Sequence, residues 1–376
     1  MMKSILVFTL LSLLAVPVVA ASRNPTDLGQ YEQLIPRHLL SLVHAPEVHQ
    51  ELKLSDKQVA DLEALFSQID SRWFAARILP PEQRSAIVTE LEGRVWDWFD
   101  KHTTPAQQQR LQQLDYYSQA GRMLLRPDLA KQLDLQESQQ ASFAELARNV
   151  QTAEQKLQNT LYGDPEIPAL QAELKKAIEA EREGLTEHLT PTQQEQLSQI
   201  LGEAFDTTRL KRIYPMAPEF VEVQDWINSK PLKLSELRGK VVLIHFYAFQ
   251  CHNCHANFEI YKRWHQELTD KGVVVVGIQT PETSLERDPQ AVKAAAQDQG
   301  LQFPILVDLQ SENWKAWGNT MWPTVYVVDK DGYIRHWWQG ELNWQGATSD
   351  KVIEDLVANL LGDGKESAEL VGTSSK

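Results

Sequence analysis

The chain has 376 residues, enough for two or three domains with at least one substantial core. Its formal charge of −14 argues against nucleic acid or an anionic membrane surface as a partner. Two cysteines are too few for the usual four-ligand structural zinc site, and nothing in the composition calls for a metal or another cofactor.

The first residues read "MMKSILVFTLLSLLAVPVVAAS". Lys3 gives a positive start, Ile5 to Val19 an apolar run, and Val18-Val19-Ala20 a small-residue end. That layout predicts a secretory signal peptide over residues 1–20, cut after Ala20 or Ala21. The run is short for a membrane anchor and lacks a stop-transfer pattern. No cysteine follows it for lipid attachment. The expectation is a soluble protein exported to the periplasm or the medium. In such an oxidising compartment a dithiol needs a protective or a catalytic reason to persist.

Residues 21–49 read as an N-terminal extension and residues 50–211 as an all-α domain, rich in Gln, Glu, Leu and Ala. Four helix starts there share their wording: "LKLSDKQVADLEALF" (52–66), "HTTPAQQQRLQQL" (102–114), "LDLQESQQASFAEL" (133–146) and "HLTPTQQEQLSQIL" (188–201). The first pairs with the third at an offset of 81 and the second with the fourth at 86, which predicts a duplicated helical hairpin. Ser55, Thr104 and Thr190 precede Gln58, Gln107 and Gln193 by three positions, the spacing of a capping box. Pro105 and Pro191 follow at the first helical position, where a missing N–H costs nothing. The third copy, with Gln136 at the cap, reads as weaker. Val59, Leu62, Leu65, Phe66 and Ile69 form one apolar stripe.

These short L-T-x-x-Q-type motifs resemble the Spy/CpxP family of periplasmic helical proteins. The resemblance implies a chaperone or a stress and metal sensor. Four well-capped core helices without any activity explain the same motifs. His38, His44 and His49 lack i, i+4 spacing and read as surface histidines rather than a metal set.

The pattern changes after "RIYPMAPEF" (212–220) to alternating strands and helices, giving a domain over 212–362. "KVVLIHFYAF" (240–249) is a continuous apolar strand suited to the middle of a sheet. "CHANFEIYKRWHQELTDKG" (254–272) is an amphipathic helix ending at glycine. "VVVVGIQT" (273–280) is a second buried strand, and "DPQAVKAAAQDQG" (288–300) a helix capped by Asp288. "TVYVVDKDGYIRHWWQGE" (324–341) is a hairpin turned at Asp331-Gly332. "SDKVIEDLVANLLG" (349–362) closes with a helix, and residues 363–376 read as a disordered tail.

Both cysteines lie in "HFYAFQCHNCHANF" (245–258). Cys251 and Cys254 have the spacing of a redox disulfide, yet His255 extends them to C-x-x-C-H, the attachment signature of a c-type haem. A loop of two intervening residues makes a poor structural staple. The pair lies at the end of a central strand and opens a helix, where unpaired N–H groups and the helix dipole favour an anion. Cys251 is therefore expected to have a thiol pKa below about 8.5, with Cys254 one turn on and less exposed.

The ordered segments "LSELRGKVVLIHFYAF", the C-x-x-C helix, "VVGIQTPE", "KAWGNTMWPTVYVVDKDGYIR" and "WQGE" resemble the thioredoxin fold. They are most similar to its exported TlpA/ResA-like and DipZ-type members. The resemblance implies an α/β domain with a central mixed sheet, and redox rather than haem chemistry. It implies that Cys251 attacks as thiolate and Cys254 resolves the mixed disulfide. Pro323 matches the family's cis-proline, which sits beside the disulfide and offers backbone to an extended substrate, with Trp322 supplying an apolar contact.

Departures from the pattern matter. Gln250 replaces the usual tryptophan, and no Pro or Gly separates the cysteines. His252, directly after the nucleophile, would stabilise a thiolate if cationic. His245 falls six residues before Cys251, where thioredoxins carry a buried acid, and is the candidate general base. A core histidine with no catalytic part is the plainer alternative. Peroxiredoxins carry P-x-x-x-T/S-x-x-C, and here Ile244 and Ala248 hold the proline and threonine positions, against a peroxidase.

The sequence thus predicts an exported thiol–disulfide oxidoreductase acting on thiols or disulfides of other exported proteins, with a membrane thiol reductant as a candidate partner. The helical domain is expected to pair chains or to hold substrate. A chaperone-like binding protein with an accessory redox domain is the alternative, and a haem electron carrier the third reading.

Overall fold

The computed structural model describes residues 27–160, 164–221 and 225–362. The expected signal segment (1–20) and tail (363–376) lie outside them. No described helix is long and apolar enough to cross a membrane.

The first half is helical: α1 (Leu39–His44), α2 (Pro46–Glu51), α3 (Asp56–Ala76), α4 (Pro81–His102), α5 (Pro105–Gln119), α6 (Pro127–Gln132), α7 (Glu137–Gln158), α8 (Ile167–Glu187) and α9 (Pro191–Leu201). Capping boxes start α3, α5 and α9, where Ser55, Thr104 and Thr190 accept from the N–H of the glutamine three residues on. The glutamine oxygen accepts from the cap residue's own N–H at 2.9, 2.9 and 3.0 Å. At α7, Gln139 takes the N–H of Gln136 at 2.9 Å.

The same glutamines also brace one helix start against another. Gln58 Nε2 donates to the His102 carbonyl at 2.8 Å, and Gln107 Nε2 to the Lys53 carbonyl at 3.2 Å. Each one caps its own helix and ties down the chain entering the other. Gln139 and Gln193 repeat the arrangement with the carbonyls of His188 (2.6 Å) and Leu133 (3.1 Å). Lys53 and Asp134, at the 81-residue offset, share the uncommon positive φ, 51° and 49°. The duplication is therefore of tertiary units, α2–α5 and α6–α9.

Residues 27–49, set apart as an extension in the sequence, carry α1 and most of α2. Leu39, Leu42, Val43 and Val48 share one core with Phe66 and Ile69 of α3 and Val95 and Phe99 of α4. Two of the three histidines expected at the surface are buried here. His44 stacks on Phe66 at 3.8 Å and meets both Asp70 carboxylate oxygens at 3.0 Å. His49 Nε2 bonds the Val43 carbonyl at 2.7 Å, and burial lowers its pKa. Their spacing bears on shared metal ligation and says nothing of burial, which the apolar neighbours Leu40, Leu42 and Val43 decide.

The second half holds β1 (Trp226–Ile227), β2 (Val241–Tyr247), α10 (His252–Leu268), β3 (Val273–Gln279), α11 (Pro289–Asp298), β4 (Ile305–Val307), α12 (Glu312–Ala316), β5 (Thr324–Val328), β6 (Ile334–Gln339) and α13 (Ser349–Leu361). The sheet order is β1-β4-β3-β2-β5-β6, with β2, β3 and β4 parallel and β1, β5 and β6 antiparallel to their neighbours. β2 is buried along its whole length, as a continuous apolar run in a central strand requires. β1 and β4 are too short to stand out as runs in the sequence. Val241, Leu243 and Tyr247 face α10 and α13. Val242, Ile244 and Phe246 face the opposite side, covered by Ala217, Phe220, Trp317 and Phe74 of α3. This is the thioredoxin-like architecture the sequence motifs pointed to, with one face of its sheet partly covered by the helical half.

Candidate active site

β2 delivers the chain to the end of the sheet, and a short loop places Cys251 at the N-cap of α10. Cys254 lies in the first turn, and the two form a disulfide with Cα atoms 5.3 Å apart. Cys251 keeps 9% of its surface exposed, whereas Cys254 keeps none. An incoming sulfur can therefore meet Cys251 and not Cys254. The N-terminus of a 17-residue helix favours negative charge on the sulfur that reduction would free there.

Pro323 follows Trp322 through a cis peptide bond. The antiparallel register pairs Phe246 of β2 with Thr324 of β5, so Pro323 sits at the same sheet end as the cysteine loop. The Pro323 carbonyl accepts from Gly340 N–H at 2.8 Å. Trp322 packs on the cluster containing both cysteines and stacks on Trp314 at 4.1 Å. Met321 beside it is exposed. Trp322 and the disulfide thus share one cluster, with Pro323 at the same end of the sheet.

His245 lies on the α10 side of the sheet, stacked on Tyr261 at 4.0 Å and edge-on to Phe303 at 4.9 Å. Neither ring nitrogen has a hydrogen-bond partner, so neither sulfur is bonded to it. Burial pushes its pKa down to about 3. The ring is neutral at any ordinary pH and holds a proton only transiently. His252 is exposed at the first position of α10. His255 is exposed too, and its Nε2 bonds the Phe249 carbonyl at 2.7 Å. The two sulfurs are joined to each other, and the His255 imidazole is tied to backbone.

Two polar residues near the site escaped the sequence reading. Glu286 is fully buried, and its carboxylate accepts from the backbone N–H groups of Gln250 (2.8 Å), Glu282 (2.7 Å) and Thr283 (2.8 Å). The Thr283 hydroxyl donates to Gln250 Oε1 at 2.5 Å. Together they fix the residue immediately before Cys251. Burial, reinforced by the Glu286 charge, pushes the Tyr247 hydroxyl up. Asn257, one turn beyond Cys254, accepts from Leu342 N–H at 2.9 Å and donates to the Gly340 carbonyl at 3.2 Å. Because Gly340 also holds the Pro323 carbonyl, Asn257 links α10 to the cis-proline strand. A polar residue inside the apolar face of α10 was the available signal for Asn257. Glu286 gave none, lying in a charged turn.

Known proteins resemble this half of the chain. Residues 214–337 match the family described as AhpC/TSA. Protein DipZ of Mycobacterium tuberculosis is 36% identical over 162 residues, 42% of this chain. The chain spans only 22% of that relative's length. Thiol-disulfide oxidoreductase ResA of Bacillus thuringiensis subsp. konkukian is 30% identical over 125 residues, 33% of this chain and 68% of the relative. Thiol-disulfide oxidoreductase YkuV of Bacillus subtilis is 29% identical, over 41% of this chain and 99% of its own length. Among solved structures, a thioredoxin-like protein in the oxidized form is 27% identical, with 40% of this chain and 97% of that one covered at a TM-score of 0.35.

Proposed function

This chain belongs to the thioredoxin-like thiol–disulfide oxidoreductases, and on that premise we propose that it exchanges disulfides with cysteine pairs of other exported proteins. The observation that carries the reading is the asymmetric pair, a Cys251 that keeps 9% of its surface exposed at the helix start and a fully buried Cys254 behind it.

In the reducing direction the Cys251 thiolate attacks one sulfur of a substrate disulfide. A mixed disulfide forms and the other substrate sulfur leaves as thiolate. Cys254, deprotonated, then attacks Cys251 Sγ, closing the Cys251–Cys254 disulfide and releasing the second substrate thiolate. Two electrons pass to the substrate and its two thiolates take protons from solvent. The reverse sequence oxidises a substrate dithiol. A dithiol reductant on the membrane restores the pair in the first case. Pro323 and Trp322 form the substrate side of the groove, and His252 lies at its rim. His245 takes the Cys254 proton transiently, its unpartnered nitrogens being the reason for assigning it that part. Export rests on the signal-like start of the sequence. Ile244 and Ala248, in place of the peroxidase Pro and Thr, speak against a peroxidase.

The test is to equilibrate the pair with a glutathione buffer and to follow insulin reduction under dithiothreitol. A potential near about −270 mV would mark a reductant and one near about −120 mV a disulfide donor. Cys251→Ser should remove at least about 1,000-fold of turnover. A pair that cannot be reversibly reduced would end the proposal. His245→Phe should slow resolution of the mixed disulfide about ten-fold, with no new titration step between about pH 5 and 9. An unchanged rate removes His245 from the chemistry.

A further inference from the structure

Arg77 ends α3 in the helical half, but its guanidinium is spent on the other half. It lies 3.5 Å over the Phe74 ring, and Nη1 donates to the Phe74 carbonyl at 2.7 Å. Nη2 donates to the carbonyls of Trp317 (2.7 Å) and Gly318 (2.9 Å) and meets the Tyr326 hydroxyl at 3.0 Å. That hydroxyl donates to Asn319 Oδ1 at 2.6 Å. No carboxylate is among these partners, and burial lowers the guanidinium's pKa. A half-buried cation held by backbone oxygens, one tyrosine hydroxyl and ring faces, with no carboxylate among them, costs free energy unless its geometry is met closely. The carbonyls that meet it belong to consecutive residues a few positions before Met321, Trp322 and Pro323.

We propose that Arg77 is a positioning residue through which the helical half sets the shape of the substrate groove. The inference rests on the disulfide-exchange reading above. Both carbonyls of the Trp317-Gly318 corner converge on one nitrogen, Nη2, while Nη1 is anchored on the Phe74 carbonyl, so the corner cannot shift without disturbing both of its bonds to the guanidinium. Gly318 adopts φ +55°, and a Cβ there would come within 2.9 Å of Arg77 Nη1, so the close approach depends on glycine. The Tyr326–Asn319 bond carries the constraint one residue further along the loop, and Tyr326 itself lies in β5, two residues after Thr324. A lysine, with one nitrogen, could not hold the Phe74 carbonyl and the Trp317-Gly318 corner in the same plane.

The seam between the halves contains a natural control. Arg212 Nε donates to the His44 carbonyl at 2.6 Å, and its guanidinium lies 3.9 Å over the Tyr333 ring. It joins the halves without touching residues 317–323. An arginine that merely glued the halves together would behave alike at both places.

The experiment uses the full-length protein as wild type and as Arg77→Ala, Arg77→Lys and Arg212→Ala. Insulin disulfides serve as the protein probe, and 5,5′-dithiobis(2-nitrobenzoic acid) reports attack by the reduced protein on a small disulfide. Arg77→Ala should raise KM for insulin about ten-fold, with kcat, the small-disulfide rate and the glutathione equilibrium within about two-fold of wild type. Arg77→Lys should keep at least about half of that KM defect, and it carries the test if the alanine variant does not fold. Arg212→Ala should lower thermal stability and leave KM unchanged. An unchanged KM in a folded Arg77 variant, or an equal rise in Arg212→Ala, overturns the inference. If wild type turns over neither probe, the disulfide-exchange reading itself fails and this inference falls with it.

Discussion

The hairpin of α3 and α4 and the hairpin of α7 and α8 begin with the same capping chemistry and meet different surroundings. α3 buries Leu62, Phe66, Ile69, Asp70, Phe74 and Ala76, and its end reaches the sheet. α7 buries Phe143 and Val150 with three alanines, and α8 buries Gly184 alone. Residues brought into correspondence by the repeat offsets have changed character. Phe66, stacked on His44, becomes Ala147. Asp70, which holds His44 and also accepts Met216 N–H at 2.7 Å, becomes the half-buried Gln151. Glu92, buried and bonded to Arg37 at 2.6 Å, becomes Ile178, which is 47% exposed. A capping code thus specifies where a helix starts, and the neighbouring surface specifies which of its faces is dry.

The sharpest way to break this comparison is at Asp70. Asp70→Ala orphans His44 Nε2 and the Met216 N–H together and should cost about 3 kcal/mol in chemical denaturation. Gln151→Ala, its counterpart, should change stability by less than about 0.5 kcal/mol. Equal costs would mean that the two hairpins are held alike.

Glu92 makes the difference visible to pH. Burial pushes its pKa up to about 7, against the attraction of Arg37. The folded protein therefore binds this proton more tightly than the unfolded chain does. Its ionisation should remove stability as pH rises from about 4.5 to about 7, by up to about 3 kcal/mol, all of it lost above that window. Melting of wild type against Glu92→Gln across pH 4 to 8 would check this, the variant lacking the slope. Ile178, its counterpart, has nothing to titrate.

The smallest effect tests what the hairpins share. Gln58→Ala and Gln139→Ala each remove a cap acceptor and a donor to the facing carbonyl, and each should cost about 1 to 2 kcal/mol. Values differing by more than about 1 kcal/mol would show that the brace matters in one unit only.

Much of the redox half was legible in the sequence because its signals are local. The apolar run of β2, the C-x-x-C opening α10, Trp322-Pro323 before β5 and the Asp-Gly turn each declare themselves within a few residues. The capping boxes are equally local, since the side chain and the N–H it binds lie three positions apart. Other readings failed for the converse reason. His44 reads as a surface residue because its partner, Asp70, is 26 positions away. Glu286 serves the amide of Gln250, 36 positions earlier, from a turn that looks merely charged. His245 was legible as buried, but that no hydrogen bond reaches its ring could be learned only from its neighbours.

By itself the sequence determined the two-part organisation, the duplicated helix starts, the cysteine pair at the start of α10 and the proline before β5. Each of these is written in spacings that fix one or two backbone hydrogen bonds, so that no distant residue is needed to read them. Only the tertiary structure decided that Arg77 reaches the Trp317 carbonyl, 240 residues away, and that Phe74 lies in the core of the sheet. Such contacts follow from how two finished surfaces fit, and burial in the fit fixes which polar groups must find partners across it.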